Sequence, residues 1–328
     1  MKILITGATG FIGSHLAESL LKDGHQIKAI VRKTSNLQWL KDLPIELIDV
    51  SLNNRNALES VVEGIDYIYH VAGLVAAKTY DEFLKANRDT TLNLLQACLE
   101  RNPDIKRFLL VSSQTVAGPS KSLDKPKTED DIPEPLTKYG KSKLEGEKVA
   151  NQFMDKLPIT IVRPPAVYGP RDPAIRDIFK IANKGLATLI GFNNKYVSLI
   201  HSSDLVRGIK LAAQSDKSVG QTYFITSSQF YTWSEIMDAM KIALNKRSML
   251  KLHLPHSLVL SLGAISGFLG KFSKKPPVFD YEKSIDFIQN YWICSPEKAK
   301  RELGFVSEID LLEGLTETAK WYKEHKWI

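Results

Sequence analysis

Short apolar runs alternate with amphipathic stretches along the first half of the chain. Runs rich in Ile, Leu and Val predict strands, and apolar residues three or four positions apart predict helices. The predicted strands are 2–6, 26–31, 45–49, 67–71, 108–112 and 159–163. The predicted helices between them are 11–22, 54–62, 81–100 and 138–154. Because several strands are almost continuously apolar, they are typical of parallel strands covered on both faces. The order predicts an α/β fold with a doubly wound parallel sheet.

The pattern changes after residue 164, where prolines and glycines form an irregular segment. The predicted helices beyond it are 175–184, 204–213, 233–244, 295–303 and 311–325. Two short strands are predicted at 197–200 and 222–226. We therefore expect residues 166–328 to form a smaller, mainly helical substrate-binding lobe, with the substrate in the crevice between this lobe and the sheet domain.

Three glycines separate the first predicted strand from the first predicted helix. Gly7, Gly10 and Gly13 are spaced G-x-x-G-x-x-G, and Phe11 and Ile12 begin the helix. Such a turn lets the backbone approach a pyrophosphate, whose negative charge the free N–H groups of the helix start can bind. Residues 1–165 are therefore predicted to form a dinucleotide-binding, Rossmann-type domain.

Composition narrows the possible partners. The net charge of +7 suits an anionic ligand, but the basic residues are scattered and do not form the aromatic-interleaved stripe typical of nucleic-acid binding. Cys98 and Cys294 lie far apart and show no metal or disulfide spacing, which favours a reducing, cytoplasmic location. The apolar segment 258–269 is too short to span a bilayer. It is expected to form a buried helix or a pocket wall, and contact with a membrane surface stays open.

The motif Y-x-x-x-K at Tyr139 and Lys143 is the strongest catalytic signal. Residues four apart lie on one face of a helix, so the phenol and the ammonium can enter the same pocket. The cation favours the phenolate and would lower the pKa of Tyr139. Ser112 and Ser113 end a predicted strand, where a hydroxyl could bind a substrate oxygen or merely satisfy loop backbone groups.

Together these motifs resemble the extended short-chain dehydrogenase/reductase family, also called the NAD-dependent epimerase/dehydratase family. Besides the glycine turn, the motifs with a counterpart there are Val71-Ala72-Gly73, the helix that begins at Asn87, Ser113, Tyr139 with Lys143, and the segment from Arg163 through Pro165 to Pro170. Thr90 stands at a position where the family usually has glycine. The resemblance implies that Tyr139 is the general acid or base, that Ser113 hydrogen-bonds the reacting oxygen, and that Lys143 holds the nicotinamide ribose. It also implies a homodimer, formed through helices 81–100 and 138–154.

The end of the second predicted strand bears on the choice of cofactor. A carboxylate there usually binds the ribose hydroxyls of NAD, but this chain has Arg32, which can pair with the 2′-phosphate of NADP. NADP is therefore favoured and NAD stays possible, since Arg32 could also be a solvated surface cation. The resemblance implies that Asp49 and the neighbouring Val50 lie against the adenine, and that Val71, Ala72, Gly73 and Pro165 line the cofactor.

Two departures from the sugar-modifying members of the family bear on the substrate. Those enzymes commonly carry an arginine four residues before a family histidine that corresponds to His201. This chain reads Val197-Ser-Leu-Ile-His201, so valine stands in place of that arginine. Ala117 stands where they usually have tyrosine. The chain instead resembles the dihydroflavonol reductase and 3β-hydroxysteroid dehydrogenase branch, which implies a weakly polar ketone or alcohol as small-molecule substrate. A nucleotide-sugar epimerase or dehydratase with tightly bound NAD, and a non-catalytic dinucleotide-binding module, remain alternatives.

Overall fold

A computed structural model describes residues 1–270, 272–273, 276–277 and 279–328. The strands are β1 (Lys2–Thr6), β2 (Gln26–Val31), β3 (Glu46–Asp49), β4 (Tyr67–His70), β5 (Arg107–Val111), β6 (Ile159–Arg163), β7 (Ala166–Tyr168), β8 (Leu186–Ile190), β9 (Tyr196–His201), β10 (Gln221–Phe224), β11 (Phe230–Thr232), β12 (Leu250–Leu254) and β13 (Tyr291–Trp292). The α-helices are α1 (Phe11–Lys22), α2 (Arg55–Val62), α3 (Tyr80–Leu84), α4 (Thr90–Arg101), α5 (Lys138–Asn151), α6 (Arg176–Asn183), α7 (Ser202–Gln214), α8 (Trp233–Ala243), α9 (His256–Gly270), α10 (Tyr281–Ile288), α11 (Glu297–Leu303) and α12 (Leu311–Glu324).

Seven parallel strands form the central sheet in the order β10-β6-β5-β4-β1-β2-β3. Helices α1 and α7 cover one face, where Leu16 and Ile209 belong to the same buried apolar cluster. Helices α2, α4 and α5 cover the other face, where Leu58, Leu94 and Val149 are buried. This is the predicted doubly wound α/β fold. The strand order reverses between β1 and β4, which is where such sheets bind ligands.

The second half of the chain contributes smaller sheets and further helices. Strands β11, β9 and β13 form one sheet with β7 beside β9, and β8 pairs with β12 in another. Strand β10 instead joins β6 at the edge of the central sheet. The division of the chain at residues 165 and 166 stays a prediction.

The long helix predicted at 81–100 is divided in three. Helix α3 leads into a π-helical turn at Lys85–Asp89, and α4 follows it. Single π-turns within helices are rare and frequently mark functional sites. Here the turn places Asn87 in the interior, and the hydroxyl of Thr91 donates to the Asn87 carbonyl at 2.9 Å.

The prediction of a buried helix at 258–269 is wrong. Helix α9 forms there, but only Val259, Gly263 and Gly270 among its residues are buried. A Cβ at Gly263 would lie 2.7 Å from the Ser284 hydroxyl, so α9 contacts α10 through its small residues and leaves its large apolar ones outside. Within the described residues, no helix is long and apolar enough to cross a membrane.

Candidate active site

The sequence-predicted site residues follow neighbouring parallel strands, so they gather at the carboxyl edge of the central sheet. Gly7 follows β1, Arg32 follows β2, Val50 follows β3, and Val71 follows β4. The remaining predicted residues at this edge are Asp49, Ala72, Gly73, Ser113 and Pro165. This common edge is the consequence of parallel pairing, because all strands of the sheet end on the same side.

The glycine turn has the compactness that a cofactor cradle needs. Gly7 has φ +75°, and a Cβ there would lie 2.7 Å from the Ala72 backbone nitrogen. A Cβ at Gly13 would lie 2.2 Å from the Gly7 carbonyl oxygen. Helix α1 begins at Phe11, and no side chain among the described residues caps it. The first N–H groups of α1, those of Phe11 and Ile12 included, are therefore available to an anionic group, so this cradle fits a dinucleotide pyrophosphate.

The segment after β4 is tied to β1 by buried polar contacts. The Ala72 N–H donates to the Thr6 hydroxyl at 3.2 Å, and that hydroxyl lies 2.7 Å from Nδ1 of His70. Burial lowers the pKa of His70 to about 3, so the imidazole is neutral at physiological pH. These bonds hold Val71, Ala72 and Gly73 beside the glycine turn.

Close packing of α5 against the loop after β5 brings the catalytic candidates together. The Thr137 hydroxyl caps α5 by accepting from the Gly140 N–H at 3.2 Å. A Cβ at Gly140 would lie 2.8 Å from the Thr115 carbonyl oxygen, so α5 comes this near only because residue 140 has no side chain. Tyr139 is thereby brought into hydrogen-bond contact with Ser113.

The hydroxyl of Ser113 is oriented by its neighbour Thr115. The Thr115 N–H and the Thr115 hydroxyl both donate to Ser113 Oγ, at 3.2 and 2.9 Å. The Ser113 hydroxyl proton is therefore free to donate elsewhere. Burial raises the pKa of Tyr139, and its hydrogen bond with Ser113 acts in the opposite direction. The prediction of a lowered pKa for Tyr139 is therefore wrong. Desolvation of the phenolate outweighs the groups that favour it.

Lys143 lies on the same face of α5, one turn after Tyr139. Its Nζ donates to the Val111 carbonyl at 2.6 Å, at the end of β5. Burial lowers the pKa of Lys143 to about 8, and the nearby Glu147 carboxylate acts against this. Glu147 is itself held by Arg163, which donates two bonds to it at 2.9 and 2.6 Å. The ammonium therefore sits where a small change of pH alters its charge.

Asn87 connects the loop after β4 to α5. Its Nδ2 donates to the Leu74 carbonyl at 3.1 Å and to the Ser142 hydroxyl at 2.8 Å. Its Oδ1 accepts from the Leu74 N–H at 2.9 Å. A Cβ at Gly73 would lie 2.7 Å from that Oδ1 and 3.6 Å from Lys143 Nζ. These contacts agree with a residue that positions the site from the π-turn.

Two predicted cofactor contacts lie at the surface. Arg32 is exposed, and in the described part of the chain its guanidinium has no hydrogen-bond or ion-pair partner. Asp49 is exposed at the end of β3, and the Val50 beside it is half-buried. Arg32 follows β2, which pairs with β1, and Asp49 ends β3, which pairs with β2, so both lie on the β2–β3 side of the glycine turn.

A cleft beside Tyr139 contains residues that sequence reasoning missed. One wall comes from the loop after β4 and from α3, and the other comes from α10 and the segment before it. The lining residues are Val75, Ala76, Ala77, Phe83, Thr137, Tyr139, Pro277, Asp280, Glu282, Lys283 and Asp286. The contribution of α10 had no signal in the sequence, since this eight-residue helix lay in a stretch without a predicted element.

The fold and the Ser113–Tyr139–Lys143 cluster define an extended short-chain dehydrogenase/reductase. The chain belongs to the NAD dependent epimerase/dehydratase family, whose model matches residues 3–226. Ceramide reductase of Caulobacter vibrioides is 30% identical over 99% of this chain and 96% of its own length. The decarboxylating sterol-4-alpha-carboxylate 3-dehydrogenase of Dictyostelium discoideum is 25% identical, over 96% of this chain and 99% of its own.

A solved structure of UDP-glucuronic acid 4-epimerase from Bacillus cereus, in complex with UDP-glucuronic acid and NAD, is also similar. It has a TM-score of 0.77 and 25% sequence identity, and the match covers 99% of this chain and all of that one. The family therefore supplies both reductase-like and epimerase-like relatives for this fold.

Proposed function

We propose that this protein is an NADP-dependent oxidoreductase that transfers hydride between the nicotinamide and a weakly polar ketone or alcohol. The observation that carries the proposal is the contact of Ser113 with Tyr139 beside a cleft that has Val75, Ala76 and Phe83 on one wall. Two hydroxyls next to an apolar surface suit a carbonyl group on an uncharged molecule.

Each residue of the cluster has a role in this reaction. When bound, the reduced nicotinamide supplies a hydride to the carbonyl carbon. Ser113 donates a hydrogen bond to the carbonyl oxygen, since Thr115 occupies its acceptor sites. Tyr139 gives its proton to that oxygen as the alcohol forms, and its raised pKa keeps it protonated at neutral pH. Lys143 binds the nicotinamide ribose and favours the tyrosinate that remains.

The cofactor preference rests on Arg32. An exposed guanidinium that has no partner among the described residues, at the strand end where NAD enzymes carry a carboxylate, suits the 2′-phosphate of NADP. The family model describes NAD dependence, so the preference for NADP is our inference from this residue.

The preference for a weakly polar substrate rests on the residues that replace sugar-binding ones. Val197 is buried in β9 at the position where the sugar-modifying members carry an arginine that binds a diphosphate, and buried Ala117 packs with Phe224 and Cys294. The names of the Caulobacter and Dictyostelium relatives refer to ceramide and sterol substrates, which are largely apolar. We also propose that residues 166–328 are the substrate-binding lobe, since Asp280 and Asp286 form part of the cleft wall.

Cofactor exchange separates the reductase from the epimerase alternative. We expect purified protein to bind NADPH more tightly than NADH in a fluorescence titration, and to lose it on gel filtration. An epimerase regenerates its cofactor in each turnover and would retain bound NAD through the same column. The similarity to UDP-glucuronic acid 4-epimerase makes UDP-glucuronic acid the first sugar to assay in that case. A non-catalytic module would bind cofactor but oxidise no NADPH with any ketone tested.

A further inference from the structure

A buried carboxylate stands in the wall of the cleft that Tyr139 lines. Asp286, on α10, is only 4% exposed. Its Oδ2 lies 3.5 Å from Lys283 Nζ, near the surface. Its Oδ1 is buried and has no hydrogen-bond partner in the part of the chain that the structure describes. A buried carboxylate oxygen without a donor is costly, so a molecule that fills the cleft could remove this cost by supplying one.

The surroundings of Asp286 define what that donor can be. The cleft offers apolar Ala76 and Phe83 on the facing wall, and Tyr139 also lines it. Asp286 interacts electrostatically with Tyr139, so both act on the same small volume. Asp280, Glu282 and Lys283 are the other charged residues of the cleft, and Lys138 already pairs with Glu282 at 3.2 Å.

We propose that Asp286 Oδ1 is a substrate-binding group that accepts a hydrogen bond from a hydroxyl or amide N–H beside the substrate's carbonyl. This inference rests on the proposed function and narrows its substrate class. The substrate is then an apolar ketone with a hydrogen-bond donor on a carbon next to, or one removed from, the carbonyl. Ser113 and Tyr139 bind the carbonyl oxygen while Asp286 fixes which way the ketone faces.

A pair of ketones tests the role of Asp286. Dodecan-2-one and its 1-hydroxy derivative have the same carbon chain and differ in one donor. We expect wild-type protein with NADPH to prefer the hydroxyketone about ten- to hundredfold in kcat/KM, the usual range for a hydrogen bond to a charged group. Asp286→Leu should abolish this preference mainly through KM, and Asp286→Asn, which keeps one acceptor, should retain part of it.

Asp172 provides a matched control, because it is equally buried and is bonded through its carboxylate to the Ala174 N–H at 2.8 Å. Asp172→Asn should leave the ketone preference unchanged, and NADPH binding should confirm that each variant folds. An equal loss of activity towards both ketones in both Asp286 variants would overturn the inference and show a structural role. A wild-type enzyme that reduces both ketones without preference would overturn the inference alone. If it reduces neither, the proposed function fails as well.

A separate observation concerns the outer face of α9. Its exposed residues recur at helical spacing and continue past the helix end. They are Leu258, Leu262, Ile265, Phe268, Leu269 and Phe272, with exposed fractions from 43 to 79%. Contiguous apolar surface of this kind marks interaction sites. The opposite side of the helix contacts α10, whose Asp286 lines the cleft.

The charge around α9 indicates what covers it. Residues 239–279 contain seven Lys and Arg and no Asp or Glu, so the whole net charge of +7 belongs to this segment. In its described part Arg247 is exposed, and exposed Lys251 pairs with Asp238, just outside the segment, at 2.8 Å. A segment that combines an exposed apolar helix face with an excess of positive charge is typical of elements that bind an anionic lipid surface without spanning it. We infer that the α9 face docks on anionic membranes.

Vesicle sedimentation tests this docking. Wild-type protein should sediment with phosphatidylglycerol vesicles, more weakly with phosphatidylcholine vesicles, and less at high salt. The double variant Leu262→Glu/Leu269→Glu should remain in the supernatant, while Ile132→Glu, at an exposed apolar residue elsewhere, should bind like wild type. Absent or equal sedimentation would overturn the inference. So would a concentration-dependent dimer that the double variant loses, since a second copy would then cover the face.

Discussion

Two buried ionisable side chains, Lys143 and Asp286, stand out at the scale of single residues. Burial lowers the pKa of Lys143 to about 8 and raises the pKa of Asp286 to about 6. Each charge therefore costs folding free energy at neutral pH. A protein that retains such charges beside a cleft uses them in binding or catalysis more often than in stability.

Replacing Asp286 with Asn should stabilise the protein at pH 7.5. Since the folded-state pKa is about 6 and the unfolded value about 3.8, the folded form binds more protons between these values. Stability therefore falls as the pH rises through this window, and the whole cost is present above pH 6. We expect Asn to raise the free energy of unfolding by about 1–3 kcal/mol at pH 7.5, with little gain at pH 4. Urea denaturation at both pH values measures this.

Asp172→Asn is the control for that gain. The pKa of Asp172 is also raised to about 6 by burial, but its carboxylate accepts from the Ala174 and Ile175 N–H groups. Substitution there removes the same cost of burying a charge but also removes one of the two acceptor oxygens, so it should gain clearly less stability than Asp286→Asn. If the two variants gained equal stability, the unpartnered Oδ1 of Asp286 would not be the cause.

The rate of ketone reduction should fall as the pH rises through about 8. Lys143 is protonated below that pKa and neutral above it, and its charge favours the tyrosinate left after proton transfer. Lys143→Arg keeps the charge at all accessible pH values, so its lower rate should stay level across the same range. Steady-state rates from pH 6.5 to 9.5, at saturating NADPH, compare the two. A wild-type rate that is flat over this range would contradict the role given to Lys143.

At the scale of elements, the site depends on how closely α5 lies against the loop after β5. Backbone contact at Gly140 sets the position of Tyr139 relative to Ser113, and Asn87 joins α5 to the loop after β4 through Ser142. The π-turn is what brings Asn87 inward. Backbone packing around α5 therefore sets the distances between the catalytic candidates. Small displacements of α5 should affect turnover strongly.

Gly140→Ala should lower kcat about tenfold or more and change NADPH affinity little. The new Cβ would lie 2.8 Å from the Thr115 carbonyl oxygen and 3.0 Å from Pro135 Cβ, so α5 must move away from Ser113. Gly267→Ala in α9 is the matched control, since the nearest described atom to its Cβ would be Asp280 Cβ at 3.6 Å. That change should leave kcat intact and raise helix stability slightly. Steady-state kinetics of both variants decide the matter, and unchanged kcat in Gly140→Ala would contradict the argument.

The sequence was informative where local pattern and topology agree. Strands β1, β2, β4, β5 and β6 are buried on both faces, so their continuous apolar runs were readable, and parallel pairing then placed the predicted residues at one edge. The sequence was uninformative for elements that form only through contacts with residues far away in the chain. Strand β12 is mostly exposed and exists by pairing with β8, more than fifty residues earlier, and the short α10 forms against α9. Asp286 was missed for this reason.

At the scale of the whole molecule, the proposed cofactor site and the proposed substrate site occupy different parts of the same sheet edge. The glycine turn and Arg32 lie on the β1–β3 side, and Ser113 and Tyr139 lie on the β5–β6 side. In the proposed reaction the two ligands would meet near Gly73, which lies close to both Asn87 and Lys143. Specificity for each ligand should therefore be separable by mutation.

Arg32→Ala should weaken NADPH binding about ten- to hundredfold and NADH binding less than twofold. The reason is the loss of a charge-assisted bond to the 2′-phosphate, which NADH lacks. Lys33→Ala, at the adjacent exposed cation, is the control and should affect both cofactors weakly. Fluorescence titration with each cofactor gives the four dissociation constants. Equal weakening of both cofactors by Arg32→Ala would show that this residue does not recognise the phosphate.

In the proposed reaction, Tyr139 gives a proton to a weakly polar ketone while NADPH is consumed. The most direct measurement follows NADPH absorbance with dodecan-2-one and its 1-hydroxy derivative, for wild type and Tyr139→Phe, and quantifies the alcohol formed. We predict one alcohol per NADPH oxidised in the wild type, and at least a hundredfold lower rate in Tyr139→Phe with NADPH affinity unchanged. Substantial turnover in Tyr139→Phe, or no NADPH consumption by the wild type with either ketone, would contradict the account.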